Sequence, residues 1–218
     1  MRCPICNGDS TSTNFKHLNI KDADIFKCDN CDYHFVDCSN YTKSDIFNHQ
    51  NSNVAKFGHN LNRNTDYLNY LIILKESIQI KKLLEIGTPR NYDFLSKVYS
   101  KFSDSIELHS YDVIENNLPK YIKFHSNKEE LINSCIDIIF CIHTLEHIPT
   151  NELVEFVNFC KYSAKYLVFE VPYCKTSQRI KQSITAPHYS FFTEKSIKKL
   201  FGNVNIKIIG NVLKFNNI

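Results

Sequence analysis

The residues best suited to chemistry lie in the segment CIHTLEHIPT, residues 141–150. Its His143, Glu146 and His147 have the H-x-x-E-H spacing that also occurs in one class of zinc peptidases. Such a peptidase needs these side chains on one face of a long helix, with a further carboxylate ligand beyond them. Here they directly follow an apolar, strand-like run, and Pro149 is expected to begin the next helix. We therefore reject the peptidase interpretation and expect a turn that brings the three side chains together.

Two kinds of chemistry suit this cluster. In the first, His147 or His143 acts as a general base, because imidazole titrates near neutral pH. In the second, these histidines and Glu146, with His188 from the later segment PHYSFF, bind a divalent ion that holds and acidifies a hydroxyl. Imidazole ligands would favour zinc, iron or nickel over magnesium. A third interpretation is structural, with Glu146 and His147 capping the following helix and ordering the loop.

Four cysteines form a second candidate site near the N-terminus. Cys3, Cys6, Cys28 and Cys31 give two C-x2-C pairs, which is the ligand spacing of a structural zinc site. Four thiolates complete a tetrahedron and leave no position for a substrate, so this zinc is expected to hold structure only. Because about 40 residues cannot build an adequate core unaided, zinc would supply much of the folding free energy of this module.

The composition excludes several classes of protein. The chain has 218 residues, 43% of them apolar, which suits one main domain with a small attachment. The net charge of +3 comes without a concentrated basic block, so nucleic acid is not expected as a partner. The N-terminus lacks the apolar segment of a signal peptide, and no apolar run is long enough to span a membrane. We expect a cytoplasmic protein with reduced cysteines, and the oligomeric state is not indicated.

Strands and helices alternate through the rest of the chain. Apolar runs predict strands at KKLLEIG, SIELHSYDVI, YIKFH, CIDIIFCI and YLVFEVP. Helical spacing is found in LNRNTDYLNYLIILKESI, NYDFLSKVYSKF, NELVEFVNFCKYSA and FTEKSIKKLF. This alternation predicts an α/β fold with a doubly wound, mostly parallel sheet, preceded by a small zinc ribbon. The predicted organisation is a zinc-binding module at 1–40, a linker and lid helix at 41–80, and the main domain at 81–218.

Sheets of this kind bind ligands at the carboxyl ends of their strands. Gly87 ends the first predicted strand, Asp112 ends the second, and the segment 143–147 follows the fourth. Because the carboxyl ends of parallel strands meet at one edge of the sheet, we expect these residues to lie close together. The topology alone therefore predicts a site at this edge.

The order of these motifs resembles class I S-adenosylmethionine-dependent methyltransferases. The resemblance rests on LLEIG, SYDVIE, IDIIFCIHTLEHIP, LVFEVPY and PHYSFFTEKSIKKLF, and it covers nearly the whole chain. The four-cysteine start resembles that of bacterial sugar methyltransferases. The resemblance implies a Rossmann-like fold, with 81–218 as the methyltransferase domain.

The resemblance also implies roles for individual residues. Gly87, with Glu85 and Thr88 beside it, would approach the methionine moiety of S-adenosylmethionine, and His143 would also contact the cofactor. Asp112 would accept hydrogen bonds from both ribose hydroxyls, a role that suits an acceptor-only carboxylate. The HTLEH segment would form the floor of the acceptor pocket.

One turn departs from the pattern of the family. The glycine-rich turn after the first strand is here GTPRNYDF, where only Gly87 is retained and Pro89 and Arg90 replace small residues. Proline fixes φ and removes an N–H donor, whereas glycine permits close backbone approach. Arg90 would compensate by pairing with the carboxylate of the cofactor, or it would be a solvated residue at the start of a helix.

These observations predict an enzyme that transfers a methyl group from S-adenosylmethionine to a hydroxyl of a small polar metabolite, such as a sugar or nucleotide-sugar. O-methylation is favoured because the chain ends soon after the last strands, without the additional C-terminal domain of the longer sugar C-methyltransferases. Two alternatives stay open. A catalytically silent methyltransferase-like binding module would explain the altered glycine turn. A metal-dependent RNA 2'-O-methyltransferase would explain the HTLEH cluster, which looks similar to the E-x-x-E-H site of such enzymes.

Overall fold

The structure is a computed structural model that describes residues 1–17, 23–38, 61–88, 92–113, 117–132, 134–184 and 188–218. Pro89, Arg90 and residues 41–60 of the predicted linker and lid helix lie outside the described residues. The strands are β1 (Ser10–Lys16), β2 (Asp24–Cys28), β3 (His34–Val36), β4 (Lys82–Ile86), β5 (Glu107–Tyr111), β6 (Ile122–His125), β7 (Ile136–Ile142), β8 (Ala164–Pro172), β9 (Ser190–Phe191), β10 (Asn205–Ile209) and β11 (Val212–Asn216). The helices are α1 (Leu61–Ser77), α2 (Asp93–Phe102), α3 (Leu153–Ser163), α4 (Ser177–Ser183) and α5 (Glu194–Phe201).

The larger sheet has the strand order β10-β11-β8-β7-β4-β5-β6. Strand β4 is parallel to β5 and β7, and β5 is parallel to β6, whereas β10 and β11 form an antiparallel pair. Residues 136–141 of β7 are all buried, as expected for a central parallel strand covered on both faces. The prediction of a Rossmann-like, mostly parallel sheet is confirmed.

Contacts divide the chain into two compact units. Unit 1 contains residues 1–57, 143–158 and 169–218, and unit 2 contains residues 58–142 and 159–168. Strand β8 contributes residues to both units. The predicted division of the chain into 1–40, 41–80 and 81–218 stays a prediction. The two compact units differ from it in that each is assembled from more than one segment of the chain.

Helix α1 packs inside unit 2, against the sheet and α2. Tyr67 is 5% exposed, and its ring lies edge-on to Phe140 and Phe94, with centroids 5.9 and 6.4 Å away. Leu71, one turn further on, is fully buried. The apolar face of α1 therefore contributes to the core of unit 2, and its predicted role as a lid stays a prediction.

Unit 1 contains a small antiparallel sheet with the order β1-β2-β3-β9. Its first three strands form the ribbon expected around the cysteines. The fourth strand comes from the distant PHYSFF segment, where Ser190 pairs with Phe35 and Phe191 with His34. The buried Tyr33 ring stacks on Phe35 at 5.3 Å, and its hydroxyl is hydrogen-bonded to Ser190. The ribbon is thus completed by a strand that sequence reasoning did not assign to it.

The start predicted for α3 is wrong. The helix begins at Leu153, and residues 149–152 form a turn in which the Glu152 N–H donates to the Pro149 carbonyl at 2.9 Å. The turn is fixed by Thr150, whose hydroxyl donates to the Val36 carbonyl at 2.8 Å. Among the described helices, none combines the length and apolar character needed to cross a membrane.

Candidate cofactor and metal sites

The four N-terminal cysteines meet in unit 1. Their sulfur atoms all lie within 4.8 Å of one another. Sγ of Cys3 is 3.6 Å from Sγ of Cys31, and Sγ of Cys6 is 3.4 Å from Sγ of Cys28. Zinc bound tetrahedrally at about 2.3 Å would need sulfur separations of about 3.8 Å, so this arrangement fits one zinc ion after a small expansion. The hydrogen bond with Cys31 lowers the pKa of Cys3 to about 5, which favours the thiolate that a metal requires.

Both C-x2-C turns have the same backbone construction. The residue after each second cysteine has positive φ, 58° at Asn7 and 57° at Asp32. Asn7 donates its N–H to the Cys3 carbonyl at 2.9 Å, and Asp32 donates its N–H to the Cys28 carbonyl at 3.1 Å. Asparagine and aspartate tolerate this left-handed conformation better than most residues. The local sequence therefore shapes each turn around its two sulfurs.

Gly8 packs directly against the cysteine site. A Cβ at this position would lie 3.3 Å from Cys6 Sγ, 3.5 Å from Cys28 Sγ and 3.0 Å from Asn30 Cβ. Any larger residue would press on the sulfur ligands. Sequence reasoning missed this residue, although its position just after the first cysteine pair was a usable signal.

Two of the predicted cofactor residues lie at the same sheet edge in unit 2. Ile86 of β4 is in register with Tyr111 of β5, so Gly87 and Asp112 follow at the same level. The Gly87 N–H donates to the Tyr111 carbonyl at 2.9 Å, and Gly87 has a φ of 72° that favours glycine. The Asp112 N–H donates to the His125 carbonyl of β6 at 3.3 Å.

Glu85 gives this edge an unusual buried carboxyl group. The residue is 5% exposed, and among the described residues its Oε2 atom has no hydrogen-bond partner. Burial raises the pKa of Glu85 to about 8. The Thr88 hydroxyl donates a hydrogen bond to the Glu85 carbonyl and accepts a hydrogen bond from the Ser110 hydroxyl at 2.7 Å. These two bonds fix the turn that follows Glu85. A cationic ligand group would supply the missing partner, and S-adenosylmethionine carries two such groups, its amino group and its sulfonium.

The HTLEH segment is a short 3₁₀ turn, Leu145–His147, directly after β7. The long helix of the peptidase signature is not formed. His143 has a φ of 52° and lies between two buried carboxylates. Its Nδ1 is 3.1 Å from Glu146 Oε1, and its Nε2 is 2.9 Å from Glu170 Oε1. Glu170 in turn pairs with Lys214, whose Nζ lies 3.2 Å from Oε2.

Glu146, His147 and His188 form a separate group, with ligand atoms all within 4.8 Å of one another. The rings of His147 and His188 are edge-on, with centroids 4.8 Å apart. Burial lowers the pKa of His188 to about 3, so its imidazole is neutral. Burial alone would raise the pKa of Glu146, but the hydrogen bond from His143 and the electrostatic influence of the three nearby histidines together lower it to about 2. The structure thus brings three of the four predicted ligands together and holds His143 behind them.

Glu170 and Lys214 were missed by the sequence reasoning. Glu170 is 1% exposed and sits in the run YLVFEVP of strand β8, where it is the only charged residue. A charged residue within a buried strand is rarely found without a partner. The single charged residue in the apolar run YLVFEVP was therefore the signal that could have identified Glu170.

No protein-family model matches the sequence, and no curated protein matches it. Solved structures are similar. A SAM-dependent methyltransferase from Archaeoglobus fulgidus is 20% identical, with a TM-score of 0.55 over 78% of this chain and 79% of the other. Magnesium protoporphyrin IX methyltransferase from Synechocystis PCC 6803, solved with bound SAH, is 12% identical, with a TM-score of 0.52 over 83% of this chain and 95% of the other.

The N-methyltransferase NodS from Bradyrhizobium japonicum WM9, in complex with S-adenosyl-l-homocysteine, is also similar. It is 12% identical, with a TM-score of 0.52 over 78% of this chain and 96% of the other. The fold is that of SAM-dependent methyltransferases. This methyltransferase fold does not fix the acceptor, because the similar proteins include a porphyrin methyltransferase and an N-methyltransferase. The predicted resemblance to sugar methyltransferases stays a prediction.

Proposed function

We propose that this protein is an S-adenosylmethionine-dependent methyltransferase that methylates a hydroxyl of a small polar metabolite, a sugar or nucleotide-sugar. One observation carries the proposal. In a methyltransferase fold, the edge formed by β4 and β5 combines the positive-φ Gly87 with the buried Glu85, whose Oε2 atom has no partner among the described residues. This glycine-backed edge suits a cationic cofactor, because a nearby positive charge favours the ionised form of the Glu85 carboxyl group.

The residues of unit 2 would hold the cofactor. S-adenosylmethionine supplies a methyl carbon on a positively charged sulfur, so transfer to an oxygen leaves neutral S-adenosylhomocysteine and releases the hydroxyl proton. Glu85 would face the cationic part of the cofactor, and Gly87 would allow the backbone to approach it. Asp112 would accept hydrogen bonds from the ribose hydroxyls.

The residues of unit 1 would serve the acceptor. His147 is the better candidate for the general base, because both ring nitrogens of His143 already face carboxylate oxygens. A base at His147 would take the hydroxyl proton as the new carbon–oxygen bond forms. In-line positioning of acceptor and methyl group would supply most of the rate.

Calorimetric titration with S-adenosylmethionine and S-adenosylhomocysteine tests the proposal. We expect micromolar binding by the zinc-replete wild type and a loss of at least about tenfold in Asp112→Ala, since the lost hydrogen bonds involve a charged group. Asp104→Ala, which removes an exposed carboxylate of unit 2, should bind as the wild type does. If binding is found, a screen of sugars with a labelled methyl group would identify the acceptor.

A well-folded wild type that binds neither cofactor form would overturn the enzyme assignment. The catalytically silent binding module would then be the better description. The observation that supports this alternative is the altered turn sequence with Pro89 and Arg90.

A further inference from the structure

Glu146, His147 and His188 form a compact group that is named here the Glu-His-His cluster. We propose that it is an open binding site for a divalent transition metal, distinct from the cysteine site. Each residue offers one ligand atom, and these atoms lie within 4.8 Å of one another. Tetrahedral ligation at about 2.0–2.2 Å needs ligand separations of about 3.3–3.6 Å, so the cluster would bind one ion after a small contraction. The site stands on its own geometry and does not depend on the proposed methyl transfer. With an ion bound to His147, the ion would activate a hydroxyl in place of the base that His147 would otherwise supply.

The carboxylate of Glu146 points to a missing cation. Glu146 is 1% exposed, and Oε1 is 3.1 Å from His143 Nδ1. Its Oε2 atom is also buried and has no hydrogen-bond partner among the described residues. A buried carboxylate oxygen without a partner is costly, so such atoms are normally paired or bound to metal. A cation held with His147 and His188 would satisfy it.

The two imidazoles are also suited to metal. Imidazole nitrogens are common ligands of divalent transition metals, and the rings of His147 and His188 lie edge-on with centroids 4.8 Å apart. The backbone brings the ligand-bearing segments together, because the Tyr189 N–H donates to the Glu146 carbonyl at 2.9 Å. The ligands are therefore positioned by the fold before any ion binds.

A row of three residues, Lys214, Glu170 and His143, supports the cluster from behind. Lys214 pairs with Glu170, Glu170 with His143, and His143 with Glu146, at 3.2, 2.9 and 3.1 Å. The His143 N–H also donates to the Glu170 carbonyl at 2.9 Å. Carboxylates that bind metal are commonly fixed by such outer hydrogen bonds. The positive φ of His143 fits this role, since strained backbone collects at functional sites.

The donor set indicates the class of metal and of further ligand. Two imidazoles and one carboxylate suit zinc, iron(II) and similar ions, whereas magnesium and calcium prefer oxygen ligands throughout. Three protein ligands leave at least one position open, as in catalytic rather than structural sites. The open position would take an oxygen ligand such as a hydroxyl or a pair of adjacent hydroxyls.

Cobalt(II) titration of the metal-free full chain, with absorption spectra and metal analysis after dialysis, tests this assignment. We expect two equivalents, one with thiolate charge-transfer absorption from the cysteine site and one without it. His188→Ala and Glu146→Gln should lose the second equivalent and keep the thiolate spectrum, which also reports a folded unit 1. His125→Ala, a histidine of unit 2, is the matched control and should keep both equivalents.

Glu170→Gln tests whether Glu170 positions the ligands of the Glu-His-His cluster through His143. It should weaken cobalt at the second site by about 10- to 100-fold and leave the affinity of the cysteine site unchanged, which a general loss of structure would not do. If either cluster variant fails to fold, the other decides. A folded wild type that retains only the thiolate-bound equivalent would overturn the assignment, as would Glu146→Gln and His188→Ala proteins that both keep two equivalents.

Discussion

The two candidate metal sites of unit 1 are built in opposite ways. The cysteine site takes two ligands from each of two tight turns and offers four sulfurs. The Glu-His-His cluster takes two ligands from the turn after β7 and the third from residue 188, just before β9. The first site is complete, whereas the second leaves positions open. The ligands of the cysteine site are positioned by short local turns, whereas the ligands of the Glu-His-His cluster are brought together only by the tertiary fold.

The largest effect is expected from the cysteine site. Cys28→Ala removes one of the four candidate zinc ligands from the end of β2, so the ribbon should bind zinc much more weakly and lose order. We expect a loss of about 4 kcal/mol, which for a chain of this size lowers Tm by about 8–16 °C. Zinc analysis and thermal unfolding measure both. Exposed Cys135→Ala is the control, and equal zinc content in both variants would refute a four-cysteine site.

The next effect tests the support of the open site. Glu170→Ala leaves Lys214 and His143 facing each other without the carboxylate between them. Breaking a buried charge pair costs about 3–5 kcal/mol, and we expect about 3 kcal/mol here because Lys214 is partly exposed. Denaturant unfolding would show the loss. The double variant Glu170→Ala with Lys214→Met should recover part of it, because the uncompensated ammonium is also removed. Single and double variants of equal stability would argue against this charge pairing.

A second histidine group, in unit 2, tests whether neighbouring histidines are enough to make a metal site. His109 Nδ1 is 2.9 Å from His125 Nε2, and the outer nitrogens lie 3.0 Å from Glu107 and from Glu130. Both nitrogens of His125 and Nδ1 of His109 have hydrogen-bond partners, whereas His109 Nε2 is buried and makes no hydrogen bond within the described part of the chain despite its distance of 3.0 Å to Glu107 Oε1. Among the described residues, this group does not bring three ligand atoms close enough for one ion, so we expect the pair to respond to protons and not to metal.

Burial lowers the pKa of His109 to about 4, below the value of about 6.5 expected in the unfolded chain. The unfolded chain then binds more protons between these values, so stability is fully present above about pH 6.5 and falls as the pH is lowered towards 4. His109→Gln should remove about 2–3 kcal/mol of that pH-dependent loss, measured by denaturant unfolding at pH 7.5 and 4.5. Glu129→Gln, at an exposed residue, should keep the wild-type profile. An unchanged profile in His109→Gln would assign the acid sensitivity to other groups.

Features that are determined by residues close together in the chain could be predicted from the sequence. The buried strands β4 and β7 followed from the apolar runs KLLEI and IDIIFCI, and both cysteine turns followed from their spacing. The turn at Gly87 and the position of Asp112 followed from strand order, because parallel strands end at the same edge. In each case the physical cause acts over a few residues.

Features that depend on distant partners could not be predicted. The pairing of β9 with β3 joins residues that no periodicity connects, and Glu170 reads as one residue of an apolar strand. His143 was expected as a base or ligand, but its two nitrogens contact Glu146 and Glu170. The assignment of a histidine depends on what its second nitrogen contacts, and sequence spacing does not contain that information.

The pairing of β3 with β9 also bears on the order in which the protein is made. The ribosome completes β3 about 150 residues before it reaches β9, which at about 5–20 residues per second is a delay of about 8–30 s. During that interval β3 is an open strand edge on the growing chain, and open edges invite wrong pairing. The cysteines are all present by residue 31, so a zinc ion bound early would hold the three-stranded ribbon in register until its fourth strand arrives.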